Sequence, residues 1–134
     1  MRNSFYKSFL FKTFSTTRQE KIYDTLKILF NPIHLEVINE SYKHSVPKDY
    51  ETHFKIIIIS DKFIQKSQIK IHQEIYKELK SEMGEKSENK LHALSIISKT
   101  PEEWEKINQS NYEKQEFKNK IKSPSCMGGS KEAK

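Results

Sequence analysis

Five histidines are the residues of this chain best suited to chemistry, because imidazole binds metals and exchanges protons near neutral pH. No two of them have the short spacing of a local metal site, and the sequence contains no phosphate-binding loop, no GxGxxG motif and no nucleophile elbow. Any metal site must therefore be assembled by the fold from distant segments. The histidines are His34, His44, His53, His72 and His92.

The hydrophobic pattern gives four of these histidines an ordinary structural interpretation. His34 falls on the polar face of a predicted strand and is expected to face solvent, and His53 begins a strand, where it caps or packs. His72 lies on the apolar stripe of a predicted helix. His92 has the parity of buried strand residues, so we expect a buried, hydrogen-bonded imidazole there. His44 differs because it lies in a polar loop, from which a side chain can reach outward.

The single cysteine, Cys126, limits the redox chemistry open to the chain. One cysteine forms neither an internal disulfide nor a CxxC pair, so a thiol oxidoreductase is disfavoured. Because an isolated cysteine in a polar tail lacks the basic pocket that activates a thiolate, we interpret Cys126 as unreactive.

Hydrophobic periodicity predicts the elements that must position these residues. Their order is α-β-β-α-β-α, which indicates a single α+β domain with helices packed on a three-stranded mixed sheet. The elements are predicted at residues 18–30, 33–39, 53–60, 66–83, 90–98 and from 100 onward. The predicted buried stripe of the long helix consists of Ile69, His72, Tyr76, Leu79 and Met83.

The last predicted helix has a clear start, and the chain that follows it is polar. Thr100-Pro101-Glu102-Glu103 supplies a cap residue, a proline in the first turn and acidic residues near the helix N-terminus. Trp104 is expected to anchor this helix to the body of the domain. Beyond it the chain is polar, and we predict a weakly ordered tail over residues 109–134.

The first 17 residues have the composition of a mitochondrial transit peptide. They contain no acidic residue, and on a helix Phe5, Phe9 and Leu10 lie near one stripe with the basic residues largely off it. Two lysines interrupt the apolar run that a secretory signal requires. The alternative is a basic N-terminus without a targeting role. The predicted regions are a transit peptide at 1–17, a domain at 18–108 and a tail at 109–134.

Two motifs that flank the polar loop resemble those of the BolA family. The first is Asn39-Glu40-Ser41-Tyr42-Lys43-His44-Ser45-Val46-Pro47, and the second is Glu51-Thr52-His53-Phe54. The resemblance covers about residues 18–130. Further matches lie at residues 59–63, at His72, at Leu91-His92-Ala93-Leu94, and at residues 100–104 and 123–126.

The resemblance implies a fold, a cofactor and a partner. BolA proteins have an α+β fold similar to a class II KH domain, and they bind a monothiol glutaredoxin with which they share a glutathione-ligated [2Fe–2S] cluster. In the family, the histidine at the start of the last strand is a cluster ligand, and a histidine or cysteine of the variable loop supplies the second. These positions are His92 and His44 here. A loop histidine is similar to the BolA1 type, which with the leader implies a non-enzymatic iron–sulfur factor of the mitochondrial matrix.

A nucleic-acid-binding regulator is the alternative that KH-like topology and a net charge of +6 suggest. Four of the positive charges fall within residues 1–18, and no arginine follows Arg18, although arginine is the usual bidentate reader of guanine and phosphate. KH domains clamp the nucleic-acid backbone with a GXXG loop, which this sequence lacks. The lysines of the long helix alternate with glutamates, which is typical of a solvated face.

Overall fold

The structure is a computed structural model that describes residues 17–43, 51–80 and 91–122. It confirms the predicted α+β class and the three-stranded mixed sheet, and it contains one more helix than the sequence predicts. The elements are α1 (Arg18–Phe30), β1 (His34–Asn39), β2 (His53–Ile59), α2 (Gln68–Glu78), β3 (Ala93–Lys99), α3 (Pro101–Gln109) and α4 (Asn111–Ile121), with 3-10 turns at Ser41–Lys43 and Asp61–Phe63.

The central strand of the sheet is β2, which pairs antiparallel with β1 and parallel with β3. Asn39 lies opposite Phe54, and His53 lies opposite Ala93. The end of β1 and the starts of β2 and β3 therefore meet at one end of the sheet, which we call the loop end. The opposite end, where His34 pairs with Ile59, is called the far end.

The hydrophobic core lies between one face of the sheet and the helices α1 and α2. Phe54, Ile56 and Ile58 of β2 point to this face because alternate strand residues share a face. Burial of each such side chain contributes about 1.5–3 kcal/mol to folding. The helices supply the other side of the core with Ile22, Leu26, Phe30, Ile71, Ile75 and Leu79.

The second face of the sheet is covered by α3 and α4, which explains the four consecutive isoleucines of β2. Ile57 and Ile59 point to this face and are buried. Trp104 of α3 stacks on His34 with ring centroids 4.8 Å apart, and Phe117 of α4 meets Trp104 edge-on at 5.6 Å. The expected role of Trp104 as the anchor of α3 agrees with this contact.

The prediction of a weakly ordered tail from residue 109 is wrong for residues 111–121, which form α4. The Ser110 hydroxyl caps this helix by accepting from the Glu113 N–H at 3.3 Å. Polar residues make up most of α4 and none of them is buried, so its apolar periodicity is weak. Phe117 nevertheless fixes it to α3. Residues 123–134, which include Cys126, lie outside the described residues.

The predicted buried stripe of α2 is also wrong in part. Ile71, Ile75 and Leu79 are the residues of this helix that enter the core, whereas Ile69 is 73% exposed. Helical spacing in this segment is compatible with two apolar stripes that share Leu79. The stripe that packs on the sheet consists of Ile71, Ile75 and Leu79, which the sequence pattern does not favour. The helix spans Gln68–Glu78 rather than residues 66–83, and Met83 lies outside the described residues.

A capping box fixes the start of α1, where the Thr17 hydroxyl accepts from the Glu20 N–H and the Glu20 carboxylate accepts from the Thr17 N–H. The helix ends at Asn31, whose left-handed backbone precedes Pro32. Within the described ranges, no helix is both long and apolar enough to cross a bilayer.

Candidate metal centre

Backbone hydrogen bonds bring two of the histidines to the same place at the loop end. The Glu40 N–H donates to the carbonyl of His53 at 2.8 Å. On the other side of β2, the N–H groups of His92 and Ala93 both donate to the carbonyl of Thr52, at 2.8 and 3.2 Å. His53 and His92 therefore flank one carbonyl group, although they are distant in the sequence.

The Ser41 hydroxyl fixes the start of β2 from the side of the polar loop. This buried oxygen accepts from the N–H groups of Thr52 and His53 at 3.0 and 3.1 Å. The Ser41 N–H itself donates to the Asn39 side chain at 3.0 Å. One buried and one partly buried backbone donor thus depend on one hydroxyl, which gives the Asn39-Glu40-Ser41 motif a structural role.

The second motif binds the start of α1 to the same end of the sheet. The Glu51 carboxylate accepts from the Arg18 N–H at 2.7 Å, and the Arg18 guanidinium donates to the Glu51 carbonyl. Gln19 donates from its side-chain amide to the Val37 carbonyl at 2.7 Å. The backbone that carries His53 is therefore held by elements on both sides of it.

The imidazoles of His53 and His92 lie side by side at the loop end. Their ring centroids are 6.0 Å apart and their planes differ by 4°. His53 is half-buried, and its Nδ1 shares a hydrogen bond of 2.8 Å with the hydroxyl of the buried Thr52. His92 is exposed. One ring is thus oriented by the protein, and the other is accessible from solvent.

The expectation of a buried imidazole at position 92 is wrong. The strand β3 begins at Ala93, one residue after His92, and the buried neighbours are Leu91 and Leu94. The break in alternation at the strand start turns His92 outward and leaves its imidazole accessible from solvent. His44, the second ligand that the resemblance implies, lies outside the described residues and stays a prediction.

The two other described histidines lie away from the loop end. His34 is at the far end, where its Nε2 pairs with the Glu36 carboxylate at 2.9 Å and Trp104 covers its ring. The expectation that His34 faces solvent holds only in part, since its side chain is 32% exposed and Trp104 stacks on its ring. His72 of α2 is half-buried, in line with its predicted packing role.

A buried charge network lies beside the histidine pair. Lys55 is 3% exposed, and its ammonium contacts the Glu40 carboxylate at 3.3 Å and donates to the carbonyl of Ile121. Glu40 also pairs with Lys43 at 3.2 Å. The network connects the base of the polar loop to the C-terminal end of α4, and Glu40 compensates the charge that β2 buries.

The donor set fits an iron–sulfur cluster that is completed by another molecule. Among residues 17–43, 51–80 and 91–122, no group of three or more His, Cys, Asp or Glu side chains could enclose a metal. An exposed imidazole is nevertheless a competent ligand for one iron of a [2Fe–2S] cluster, as in Rieske centres. His92 would hold the cluster, with the remaining ligands supplied by other groups. Sequence reasoning missed His53 as its neighbour, because only the parallel register of β2 and β3 places the two together.

Comparison with known proteins shows what kind of domain this is. The sequence matches the family described as BolA-like protein over residues 26–103. A BolA-like protein of Dictyostelium discoideum is 45% identical over 111 residues, which covers 83% of this chain and 91% of that protein. The DNA-binding transcriptional regulator BolA of Escherichia coli (strain K12) is 34% identical over 110 residues, covering 82% and 92%.

Solved structures agree with this assignment. The BolA domain of SufE1 from Arabidopsis thaliana has a TM-score of 0.58 and 42% identity, covering 66% of this chain and 96% of that one. The solution structure of BolA1 from Mus musculus has a TM-score of 0.59 and 31% identity, covering 82% and 78%. The molecule is a small α+β domain that exposes a histidine at the start of its last strand. The chain belongs to the BolA family.

Proposed function

We propose that this protein is a non-enzymatic factor in iron–sulfur cluster assembly or trafficking, which binds a monothiol glutaredoxin and holds a [2Fe–2S] cluster together with it. The observation that carries the proposal is the exposed imidazole of His92 at the loop end. Its backbone N–H donates to the Thr52 carbonyl, so the backbone of His92 is fixed while its side chain is exposed. Family membership supports the proposal through the cluster-binding role that the resemblance implies.

The ligands are divided between two proteins and a tripeptide. His92 and the loop histidine His44 would supply the ligands of this chain, and a glutaredoxin cysteine and the glutathione thiol would supply the others. Replacement of thiolates by imidazoles lowers the negative charge of the ligand set and raises the reduction potential of the cluster. Ser41 contributes by fixing the backbone from which the loop departs.

The test is anaerobic cluster reconstitution of the full chain with a mitochondrial monothiol glutaredoxin and glutathione, followed by visible circular dichroism. A spectrum that differs from that of the glutaredoxin homodimer is expected, together with co-elution of the two proteins. His92→Ala should abolish this spectrum, because it removes the exposed ligand. His34→Ala, at the far end of the same sheet, is the matched control and should retain it. The glutaredoxin spectrum alone, without co-elution, would contradict the proposal.

We further propose that the protein acts in the mitochondrial matrix, on the basis of the acid-free leader at residues 1–17. The test is import of the full chain into isolated mitochondria, followed by protease protection and mass spectrometry of the processed N-terminus. A variant whose Arg2, Lys7 and Lys12 are replaced by glutamine should lose import, since these charges drive translocation. Equal import of both proteins would exclude this leader as the signal.

A DNA-binding regulator is the second candidate function, favoured by the name of the E. coli relative. The surplus lysines would then supply phosphate contacts, and binding would weaken steeply with salt. Fluorescence anisotropy on duplex DNA between low and physiological salt separates the two functions. Tight, sequence-selective binding at physiological salt would favour the regulator, whereas loss of binding would leave the cluster function.

A further inference from the structure

The parallel pairing of β2 and β3 creates a pair of imidazoles on one chain, without any contribution from the polar loop or a partner protein. We propose that His53 and His92 form a binding site for a divalent first-row transition-metal ion such as Zn²⁺ on the isolated protein. The site differs from the cluster site in its second ligand, which is His53 rather than His44.

The distance between the rings fits a shared metal ion. Zinc binds imidazole nitrogen at about 2.0–2.1 Å, so two imidazoles on one ion have centroids roughly 5–6 Å apart at tetrahedral or wider ligand angles. The observed separation is 6.0 Å. The planes are within 4° of parallel, so the lone pairs of the two rings do not yet converge, and metal binding requires rotation of the exposed His92 side chain.

The hydrogen bond with Thr52 occupies Nδ1 of His53 and leaves Nε2 as the nitrogen that faces a metal. The Thr52 hydroxyl shares a 2.8 Å hydrogen bond with Nδ1 of His53, and Thr52 is completely buried. When Nδ1 donates this bond, the lone pair of the neutral ring lies on Nε2, which becomes the ligand atom. An outer hydrogen bond of this kind orients metal-binding histidines and raises their basicity.

The backbone of the site is fixed before a metal binds. The Thr52 carbonyl accepts from both His92 and Ala93, and the Ser41 hydroxyl accepts from the His53 N–H. The metal therefore orders the side chain of His92 and little else, which lowers the entropic cost of binding.

The donor set determines the class of metal. Two imidazoles suit Zn²⁺, Cu²⁺ and Ni²⁺, whereas Mg²⁺ and Ca²⁺ prefer oxygen ligands. Two protein ligands leave coordination positions for water, so the site is open. The nearby ammonium of Lys55 is held by Glu40 and by the Ile121 carbonyl, which limits its repulsion of a bound cation.

Sharing of His92 has a consequence that rests on the proposed function. An ion on the histidine pair and a cluster on His92 exclude each other, so zinc should compete with cluster transfer from the glutaredoxin. The metal site itself is tested without glutaredoxin, so failure of one proposal is distinguishable from failure of the other.

The experiment is calorimetric titration of Zn²⁺ into the full chain with Cys126→Ser, which removes the thiol as a competing ligand. His53→Asn keeps an amide where Nδ1 meets Thr52 but removes Nε2, so it tests ligation with little change in packing. His53→Asn and His92→Ala should each lower the zinc affinity by about tenfold or more. His34→Asn and His72→Asn are the matched controls and should retain it.

Nitrogen-15 NMR of the imidazoles provides a readout that a structural role would not reproduce. Zinc should shift Nε2 of His53 and a ring nitrogen of His92 together, at one equivalent of metal. Far-ultraviolet circular dichroism checks that each variant is folded. Unchanged zinc affinity in folded His53→Asn would overturn the proposal. So would a loss confined to His44→Asn, which would assign the ion to the loop.

Discussion

At the scale of single residues, the two BolA motifs contribute structure as much as chemistry. Ser41 accepts from two backbone N–H groups, and Glu51 fixes the first residue of α1. Thr52 is buried and orients His53. Most residues of the motifs that are described therefore hold the loop end together, and the histidines are the residues left to bind ligands.

Replacement of Ser41 by alanine tests this structural role. Ser41→Ala leaves the buried N–H of Thr52 and the partly buried N–H of His53 without their acceptor, and we expect a loss of about 1–3 kcal/mol in the free energy of unfolding. Urea denaturation followed by circular dichroism measures it. Ser95→Ala, at an exposed position of β3, should change the free energy of unfolding by less than about 0.5 kcal/mol. Equal losses in the free energy of unfolding for the two variants would show that Ser41 does not have this structural role.

The buried pair of Lys55 and Glu40 gives a second prediction at this scale. Glu40→Gln removes the carboxylate beside a buried ammonium and should lower the free energy of unfolding by about 3 kcal/mol. Addition of Lys55→Met to this variant should restore part of the loss, because the buried charge that Glu40 balances then disappears. A double variant less stable than Glu40→Gln would contradict this account. Urea denaturation of the four proteins completes the cycle.

At the scale of elements, α4 is the one whose contribution is least evident from its composition. Most of its residues are polar, yet Phe117 contacts Trp104 and the carbonyl of Ile121 accepts from Lys55. The helix therefore closes the second face of the sheet and reaches the loop end. Its stability depends on these few contacts rather than on a continuous apolar stripe.

Phe117→Ala should lower the free energy of unfolding by about 1–3 kcal/mol, less than the value for a fully buried phenylalanine because Phe117 is only half-buried. The emission of Trp104, the single tryptophan, should shift to longer wavelength as its ring becomes hydrated. Tyr112→Ala on the same helix is the control, since Tyr112 is 77% exposed. Unchanged emission in Phe117→Ala would show that α4 does not cover Trp104.

Local signals in the sequence predict much of the fold, and tertiary contacts determine the rest. The cap at Thr100 and the apolar run of β2 predict their elements correctly, because each is a property of neighbouring residues. The stripe of α2 is mispredicted because two stripes are compatible with helical spacing. The helix α4 is missed because its burial comes from one aromatic contact.

The candidate site, like the fold, is predicted by the sequence only in part. The motif identifies His92, but the neighbouring position of His53 depends on the register of a parallel pair separated by α2. Such pairing is non-local and leaves no spacing signal. The exposure of His92 depends on where β3 begins, and strand boundaries are uncertain by a residue or two from sequence alone.

At the scale of the whole molecule, the two ends of the sheet have different character. The loop end carries the histidine pair and the Glu40 network, whereas apolar side chains such as Ile33 and Ile64 are exposed toward the far end. A ligand of the histidines should therefore make its contacts at the loop end, because no described histidine of that pair reaches the far end.

Two-dimensional ¹H–¹⁵N NMR tests this division. Titration with glutaredoxin under cluster-forming conditions should broaden or shift the amides of Ser41, His53 and His92. The amides of Ile33 and Ile64 should change little and act as the internal control. Larger changes at the far end would place the partner's contact there and contradict a cluster held by His92.

The ends of the described chain have a practical consequence for anyone who labels this protein. Arg18 contacts Glu51, which precedes His53 by two residues. The carbonyl of Ile121 accepts from Lys55, which follows His53 by two residues. A fluorophore, affinity tag or fusion partner attached next to Arg18 therefore leaves the domain close to the backbone that carries His53, whereas Ile121 lies near His34 and Trp104. Probes for interaction studies are better placed at the exposed Asp61, in the 3-10 turn at the opposite end of the sheet.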